Sequence, residues 1–250
     1  MLPKRCEMRV KLTVEYDGTS FCGWQVQPNG RSVQGEIENA IYKLTGETVR
    51  VTGSGRTDSG VHAQGQIAHF DTTSTIPAEK FAFALNTYLP SDVSVLSSEQ
   101  VDEEFHARYS AKKKTYSYSF YISDVVRPTY ERFSTRIDDF DIDKAKEIAS
   151  VIVGEHDFKC FSKADIEVLT TVRKVYSIEF YKTDCRIDMQ ITGNGFLYNM
   201  VRMIAGAVKA YLSGKITASD ILTGFETGEK INFVAVMPAK GLTLKTVVYE

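Results

Sequence analysis

The stretch Val51 to Phe70, VTGSGRTDSGVHAQGQIAHF, decides how the rest of the chain is read. Val49 and Val51 read as the end of one strand, and Gln66 to Phe70 as the next apolar run. Between them Gly53, Gly55 and Gly60 crowd Arg56 and Asp58 into a tight loop. Glycine admits positive φ and lets another backbone or a ligand come close, so a loop this rich in it shapes a sharp turn or a site. The cation of Arg56 beside Asp58 favours the ionised carboxylate. A carboxylate held that way is a poor general acid, but it suits a nucleophile or an electrostatic stabiliser. Taken locally, the pattern equally suits an Asx-type turn beside a surface arginine.

Two phosphate-binding readings of this loop fail. Gly53-Ser54-Gly55 is a G-x-G, but the next glycine is Gly60, and no helical pattern follows to present an N-terminus to a pyrophosphate. No lysine follows Gly60, so the P-loop spacing is absent too. There is no G-x-S-x-G elbow, and glycosidase chemistry would want a second carboxylate that sequence cannot place. Cys6, Cys22, Cys160 and Cys185 lie far apart without a C-x-x-C pair and read as reduced packing residues. His62, His69, His106 and His156 show no ligand spacing, so no metal site is expected.

The 250 residues suffice for one large domain or two ordinary ones. With 43% hydrophobic and 25% charged residues the composition is that of a soluble globular protein. No apolar run is long enough to cross a membrane, and the N-terminus has no signal-peptide h-region, so a cytoplasmic protein is expected. A net charge of −2 gives no general nucleic-acid footprint, but binding depends on where the cations lie. They are uneven: Arg108, Lys112, Lys113 and Lys114 cluster, and Arg173 adjoins Lys174.

Outward from the glycine loop, Arg9 to Tyr16 alternates as a half-buried strand ended by Asp17-Gly18. Ser32 caps a helix with Val33, Ile37, Ala40, Ile41 and Leu44 on one face, and Gly46 stops it. Pro77 is placed in a first helical turn, with Phe81, Ala84, Leu85 and Tyr88 sharing a face until Pro90, and Val93 and Val95 suggest a strand. In the second half Lys113 to Ile122 alternates, with Tyr116, Tyr118, Phe120 and Ile122 on one face. Asp143 is placed as the cap of a helix carrying Ile148, Val151 and Ile152, with Gly154 at its end. Strands follow at Lys174 to Phe180, with Tyr176, Ile178 and Phe180 on one face, and at Arg186 to Thr192. Gly193-Asn194-Gly195 then opens a helix from about Leu197 to Leu212, and a short helix and a strand at Leu242 to Val248 close the chain.

Each half therefore reads as strand, helix, strand, strand, helix, strand. That order predicts an α+β protein of two similar subdomains, 1–105 and 106–250, each a mainly antiparallel sheet backed by helices, with the join between Asp102 and Lys113. The run from Phe105 to Tyr116 joins cations to a tyrosine-rich strand. Phosphates want cations and an unstacked base wants an aromatic face, so this composition suits single-stranded RNA, though a solvated lysine cluster beside core tyrosines has the same appearance.

Along nearly its whole length the chain resembles the tRNA pseudouridine synthase A family. The resemblance is carried by Tyr16-Asp17-Gly18-Thr19, Gly23-Trp24-Gln25 and Ser32-Val33-Gln34, and above all by Gly55-Arg56-Thr57-Asp58-Ser59-Gly60-Val61-His62-Ala63. Gly65-Gln66, His69-Phe70, Phe105-His106-Ala107-Arg108, Tyr116-Ser117-Tyr118 and Met200-Val201-Arg202 follow in the family's order. Ser59 is a small departure from the family's usual alanine. The resemblance implies a pseudouridine synthase fold with the active-site cleft between its two subdomains. It implies an isomerase that turns uridine into pseudouridine at positions 38, 39 and 40 of the tRNA anticodon stem-loop, acting as a homodimer with neither cofactor nor metal. Asp58 is then the nucleophile, attacking base or ribose, and Arg56 fills the space of the flipped uridine. Tyr116 stacks on the base or moves a proton, and Arg202 pairs with Asp58. His62, Gln66, Arg108, Lys112, Lys113 and Lys114 join Arg56 and Tyr116 as expected substrate contacts. A stacked uridine is out of reach of any side chain, so base flipping belongs to the expectation. Two other classes share the scaffold's features: a silent RNA-binding module, and an enzyme using Asp58 on a free nucleoside.

Overall fold

In the computed structural model, which describes residues 7–28, 30–162 and 169–250, the alternation of the first strand is realised in β1 (Met8–Tyr16). Cys6 lies outside the described residues. Val10, Leu12, Val14 and Tyr16 are buried while their neighbours face outward. The chain divides into two compact units, one drawn from residues 7–111 and 244–250, the other from residues 112–243.

In the first unit Ser32 caps α1 (Val33–Thr45), its Oγ accepting the Gly35 N–H at 3.2 Å, and Gly46 ends the helix at φ 75°. The strand expected around Val49 and Val51 shrinks to β2 (Thr52–Gly53). Val51 is buried, but its N–H donates to Glu38 Oε1 at 3.0 Å, so a helix side chain takes the bond that a strand neighbour would have taken. β3 (His62–Thr72) is longer than the apolar run that announced it. Pro77 stands just before a 3₁₀ turn, and α2 (Phe81–Leu85) stops early, leaving Tyr88 exposed. The Asn86 amide explains the stop. It donates to Val95 O and accepts from Val95 N, both at 2.8 Å, which turns the chain into β4 (Val93–Val101). β1 lies between β3 and β4, antiparallel to both, with β2 antiparallel to β3.

The second unit opens on β5 (Lys113–Ile122), as expected, but Tyr116 to Tyr121 are all buried, so both of its faces are covered. α3 (Pro128–Glu131) and β6 (Thr135–Ile137), which runs parallel to β5, had no signal in the pattern. α4 (Ile142–Ile152) is capped by Asp141, two residues earlier than expected, whose Oδ1 accepts the N–H groups of Asp143 and Lys144. Its buried face is Ala145, Ile148, Ala149 and Ile152, and Gly154 opens β7 (Gly154–Asp157) instead of closing the helix. β8 (Val172–Thr183) and β9 (Arg186–Gly193) complete an antiparallel order β5-β9-β8-β7.

The register of β8 slips between Val175 and Ser177. A bulge of this kind sends an extra side chain to the outer face. Val175 and Ile178 therefore point inward, and Tyr176, expected beside Ile178, is exposed. α5 (Met200–Leu212) begins three residues later than expected, with Asn199 at φ 62° before it, and buries nine of its residues. α6 (Ala218–Thr227) starts in a Thr217–Asp220 capping box. The chain ends in β10 (Leu242–Val248), which hydrogen-bonds β3 and so belongs for most of its length to the first unit. The architecture is α+β with a mainly antiparallel sheet. No helix among the described residues is long and apolar enough to cross a membrane.

Arg9 joins β1 to the end of the first unit. It forks onto Asp71 (2.7 and 2.8 Å) and reaches Phe105 O at 2.9 Å, pinning the segment before Ala107. His69 Nδ1 accepts the Ala107 N–H at 3.2 Å. Burial, reinforced by the charges of Arg9 and His106, pulls the His69 imidazole down to about 4. A histidine whose folded value lies below its unfolded value stabilises the fold fully above the unfolded value, near 6.5. That contribution is lost as pH falls from there toward 4. His69→Asn keeps an acceptor near Nδ1 but cannot titrate. Urea unfolding at pH 7 and pH 4.5 is expected to show this variant losing less stability on acidification than the wild type, by on the order of 1–3 kcal/mol.

Candidate active site

The Arg56–Asp58 loop is built from close backbone approaches. Gly18, just past β1, lies so near Val61 that a Cβ there would sit 2.0 Å from Val61 O. Gly23, at φ 110°, leaves room for Thr57 O, which a Cβ would meet at 2.6 Å, and the neighbouring Trp24 N–H donates to that carbonyl at 3.1 Å. Gly53 packs against the Trp24 indole, whose Cε2 a Cβ would meet at 2.5 Å. Gly60, at φ 78°, closes a turn in which Val61 N–H donates to Asp58 O at 3.1 Å. The glycines thus serve packing as well as turning.

Side chains complete the frame. Tyr16 OH and Thr57 Oγ1 lie 2.7 Å apart, both buried. Ser54 Oγ donates to Gln66 Oε1 at 2.6 Å, and Gln66 Nε2 donates to Gly55 O at 2.9 Å. Ser59 Oγ donates to Phe21 O at 3.1 Å. Within this frame Arg56 is exposed and Asp58 half-buried. Burial pushes the Tyr16 phenol well above its ordinary value, against opposing hydrogen bonds with Thr57 and Gln66, so it stays a neutral hydroxyl.

Two residues expected to touch the substrate lie beneath the surface. Gln66 is 0% exposed, with both ends of its amide engaged by the loop, and His62 is 3% exposed, its Nδ1 accepting the Gly18 N–H at 3.0 Å. Arg108 is exposed on a turn closed by His106, whose Nδ1 accepts from the N–H groups of Arg108 and Tyr109. Tyr16 and Thr57 went unremarked as partners in the sequence. The available signal was the alternation of β1, which buries the tyrosine and so obliges its hydroxyl to find a partner.

In the second unit Tyr116 is buried, with Phe196 edge-on at 5.3 Å. Arg202, on α5, donates from Nε to Met237 O at 2.6 Å and from Nη1 to Asn199 Oδ1 at 2.8 Å, which ties the chain near Pro238 to the helix start. The sheet brings Lys112 to Lys114 to the same end as Lys174. Lys114 lies opposite Gly193, Gly193 lies opposite Val175, and Lys174 exchanges backbone and side-chain bonds with Asn194. Lys112, Lys113 and Lys174 are exposed at this end of the sheet, and Lys113 Nζ stands 5.3 Å from the centre of the Tyr176 ring. Among the described residues no group of three or more His, Cys, Asp or Glu side chains is placed to hold a metal ion.

By its family match, this α+β scaffold with its Gly-Arg-Thr-Asp loop is that of an RNA-modifying isomerase with the pseudouridine synthase fold. The tRNA pseudouridine synthase family matches residues 12–110 and 148–250, and the chain belongs to that family. The tRNA pseudouridine synthase A of Ruminiclostridium cellulolyticum is 44% identical over 244 residues, covering 96% of this chain and 99% of the relative. That of Bacillus pumilus is 44% identical over 251 residues, covering 97% and 100%. Among solved structures, a Cbf5-Nop10-Gar1 complex is similar at 13% identity and a TM-score of 0.38, covering 94% of this chain and 57% of that one. Arg56, Asp58 and Arg202 fall within the family-matched residues, whereas Lys112 to Lys114 and Tyr116 fall between the two matched blocks.

The glycine contacts give a direct test of the frame. Gly18→Ala drives a Cβ into the Val61 carbonyl, a backbone atom that cannot rotate away. Overpacking of this kind typically costs about 1–3 kcal/mol. The variant is expected to fold with a lowered urea midpoint. Gly46→Ala meets nothing within 4 Å, so its cost comes from φ 75° alone and is expected to be the smaller of the two.

Proposed function

We propose that this protein converts uridine to pseudouridine in the anticodon stem-loop of tRNA, at positions 38, 39 and 40, in the cytoplasm. The observation that carries the reading is the loop at 54–61, where a half-buried Asp58 and an exposed Arg56 rise from a backbone fixed on both sides. Family membership supplies the reaction class, and the relatives' names supply tRNA as substrate.

The reaction is an isomerisation. The bond from ribose C1′ to N1 breaks, the uracil turns, and a bond from C1′ to C5 forms. C5 gives up its proton and N1 gains one, so no electrons are gained or lost and no redox cofactor enters the balance. Asp58 serves as the nucleophile, and the same oxygen would do so in a base adduct or a ribosyl ester. Arg56, on the exposed side of the loop, takes the place of the flipped uridine and pairs with its phosphates. Tyr116 stacks on the base or moves a proton, and Arg202 supplies a cation for the reaction's anionic groups. Gln66 and His62 act from below the surface by holding the loop.

Arg108, Lys112, Lys113 and Lys114, with Arg173 and Lys174, line the path of the RNA backbone. In a homodimer two copies of that path would serve one tRNA. The convergence of Lys112, Lys113, Lys114 and Lys174 at one end of the second unit's sheet supports this, because a protein of net charge −2 holds a polyanion only where its cations converge.

The deciding experiment maps pseudouridine in tRNA incubated with wild type and with Asp58→Ala. Asp58→Ala is expected to bind tRNA and leave positions 38 to 40 as uridine. Product from Asp58→Ala would end the proposal, as would turnover of free uridine or UMP in place of tRNA. Lys112→Gln/Lys113→Gln/Lys174→Gln is expected to weaken tRNA binding and to flatten log K against log salt by roughly 0.7–0.9 for each phosphate that is no longer neutralised, measured by filter binding.

A further inference from the structure

We propose that Tyr16, through its hydroxyl contact with Thr57, is a positioning residue for the reaction: it sets where the Asp58 carboxylate stands without touching RNA. This rests on the reading of Asp58 as the reactive group.

Arg56 and Asp58 alternate with residues whose atoms are fixed by the protein. On the leading side, Gly55 O is held by the Gln66 amide and Ser54 Oγ by the other end of that amide. On the trailing side, Asp58 O receives the Val61 N–H and Ser59 Oγ holds Phe21 O. Thr57, between the two functional residues, is held at two points. Its carbonyl receives the Trp24 N–H at 3.1 Å, and its hydroxyl meets Tyr16 OH at 2.7 Å.

The carbonyl bond alone leaves the peptide free to pivot about one contact. The hydroxyl bond fixes the second point and so the direction in which the next residue departs. Tyr16 is suited to be that point. It lies within a three-strand ladder, paired to Ala63 on β3 and to Val93 on β4, and is 3% exposed, so it cannot follow the loop if the loop moves. Its environment keeps it a neutral hydroxyl at every working pH, so it serves as a fixed bond and not as a proton carrier.

Satisfying a buried hydroxyl is one task and aiming a carboxylate is another, and substitutions can separate them. Tyr16→Phe keeps the ring and removes the bond, leaving Thr57 Oγ1 buried without the phenol. Tyr16→Phe/Thr57→Val removes both polar groups, which restores much of the stability that an orphaned hydroxyl loses. Thr57→Ser keeps the hydroxyl.

Measured on full-length protein with whole tRNA, Tyr16→Phe is expected to lower kcat about tenfold to a hundredfold, the scale on which misplaced reacting groups cost rate, with KM within about twofold of wild type. The double variant is expected to regain thermal stability while kcat stays low, and Thr57→Ser to retain kcat. Recovery of kcat together with stability in the double variant would overturn the inference, since the bond would then be structural only. An unchanged kcat in Tyr16→Phe would overturn it as well. Should Tyr16→Phe not fold, Thr57→Val against Thr57→Ser decides the matter: equal kcat in the two refutes positioning, and loss in Thr57→Val alone supports it. Failure of the reading itself would show separately, as product formed by Asp58→Ala.

Discussion

The first unit depends on backbones being allowed to touch. At Gly18 against Val61, Gly23 against Thr57 and Gly53 against Trp24, the spaces that side chains would fill are occupied by carbonyls or by an indole. Glycine gives up conformational freedom on folding and contributes no apolar area, so three such contacts within one frame are costly for the chain as a whole. What they gain is a segment that cannot drift, because carbonyl groups, unlike side-chain ends, have no rotamers to escape into. The tight turn at Gly60, the Trp24 bond to Thr57 and the half-buried place of Asp58 follow from those contacts.

Polar burial then does what apolar packing cannot. Ser54 and Thr57 in the loop, and Tyr16 and Gln66 beside it, are all buried, and an unsatisfied buried polar group costs about 1–3 kcal/mol. Paired, each bond is worth only about 1 kcal/mol net. The asymmetry favours one arrangement over its neighbours, because a shift of the loop by a fraction of a bond length would leave several groups unpaired together. Such a network contributes less to total stability than to the choice of a single geometry. The same logic operates in the second unit, where Arg202 directs two donors at Met237 O and Asn199 Oδ1 at the start of α5.

Much of this could be read from the residues, and the failures have physical causes. β1 and α1 were legible because alternation, a serine cap and a glycine stop agreed with one another, and β5 was legible in its bounds though not in its faces, since Ser117 and Ser119 are buried as well as the aromatics. Tyr176 was misplaced because a period of two presumes an unbroken register, and a bulge leaves no mark in hydropathy. The helix near Asp143 was misplaced because two aspartates two residues apart both satisfy the capping rule, and only the structure shows which one holds the free N–H groups. Val51 looked like strand because it is apolar and buried, yet its N–H is taken by Glu38, a partner 13 residues away that local pattern cannot name. At the candidate site the Arg-Thr-Asp segment stood out at once. The buried role of Gln66 did not, because a glutamine beside a functional loop reads the same whether it faces a ligand or the backbone.

On the proposed reading, an acidic side chain must work against a polyanion. Two unit charges 4 Å apart interact by roughly 4 kcal/mol at an effective dielectric constant near 20, which would by itself slow the approach of RNA to a lone carboxylate. Arg56 stands two residues before Asp58 and is the exposed member of the pair, so the first charge an arriving phosphate meets on this loop is positive. Lys112, Lys113 and Lys174 repeat the arrangement on the second unit, where sheet pairing gathers cations that sequence keeps about sixty residues apart. A near-neutral protein can in this way present a basic face where it is needed, because the sheet sets the charge at the surface and the composition sets only the sum. A rigid loop is then a requirement: the benefit of Arg56 holds only while its distance from Asp58 is fixed, and the buried bonds beneath Thr57 and Gly55 are what fix it.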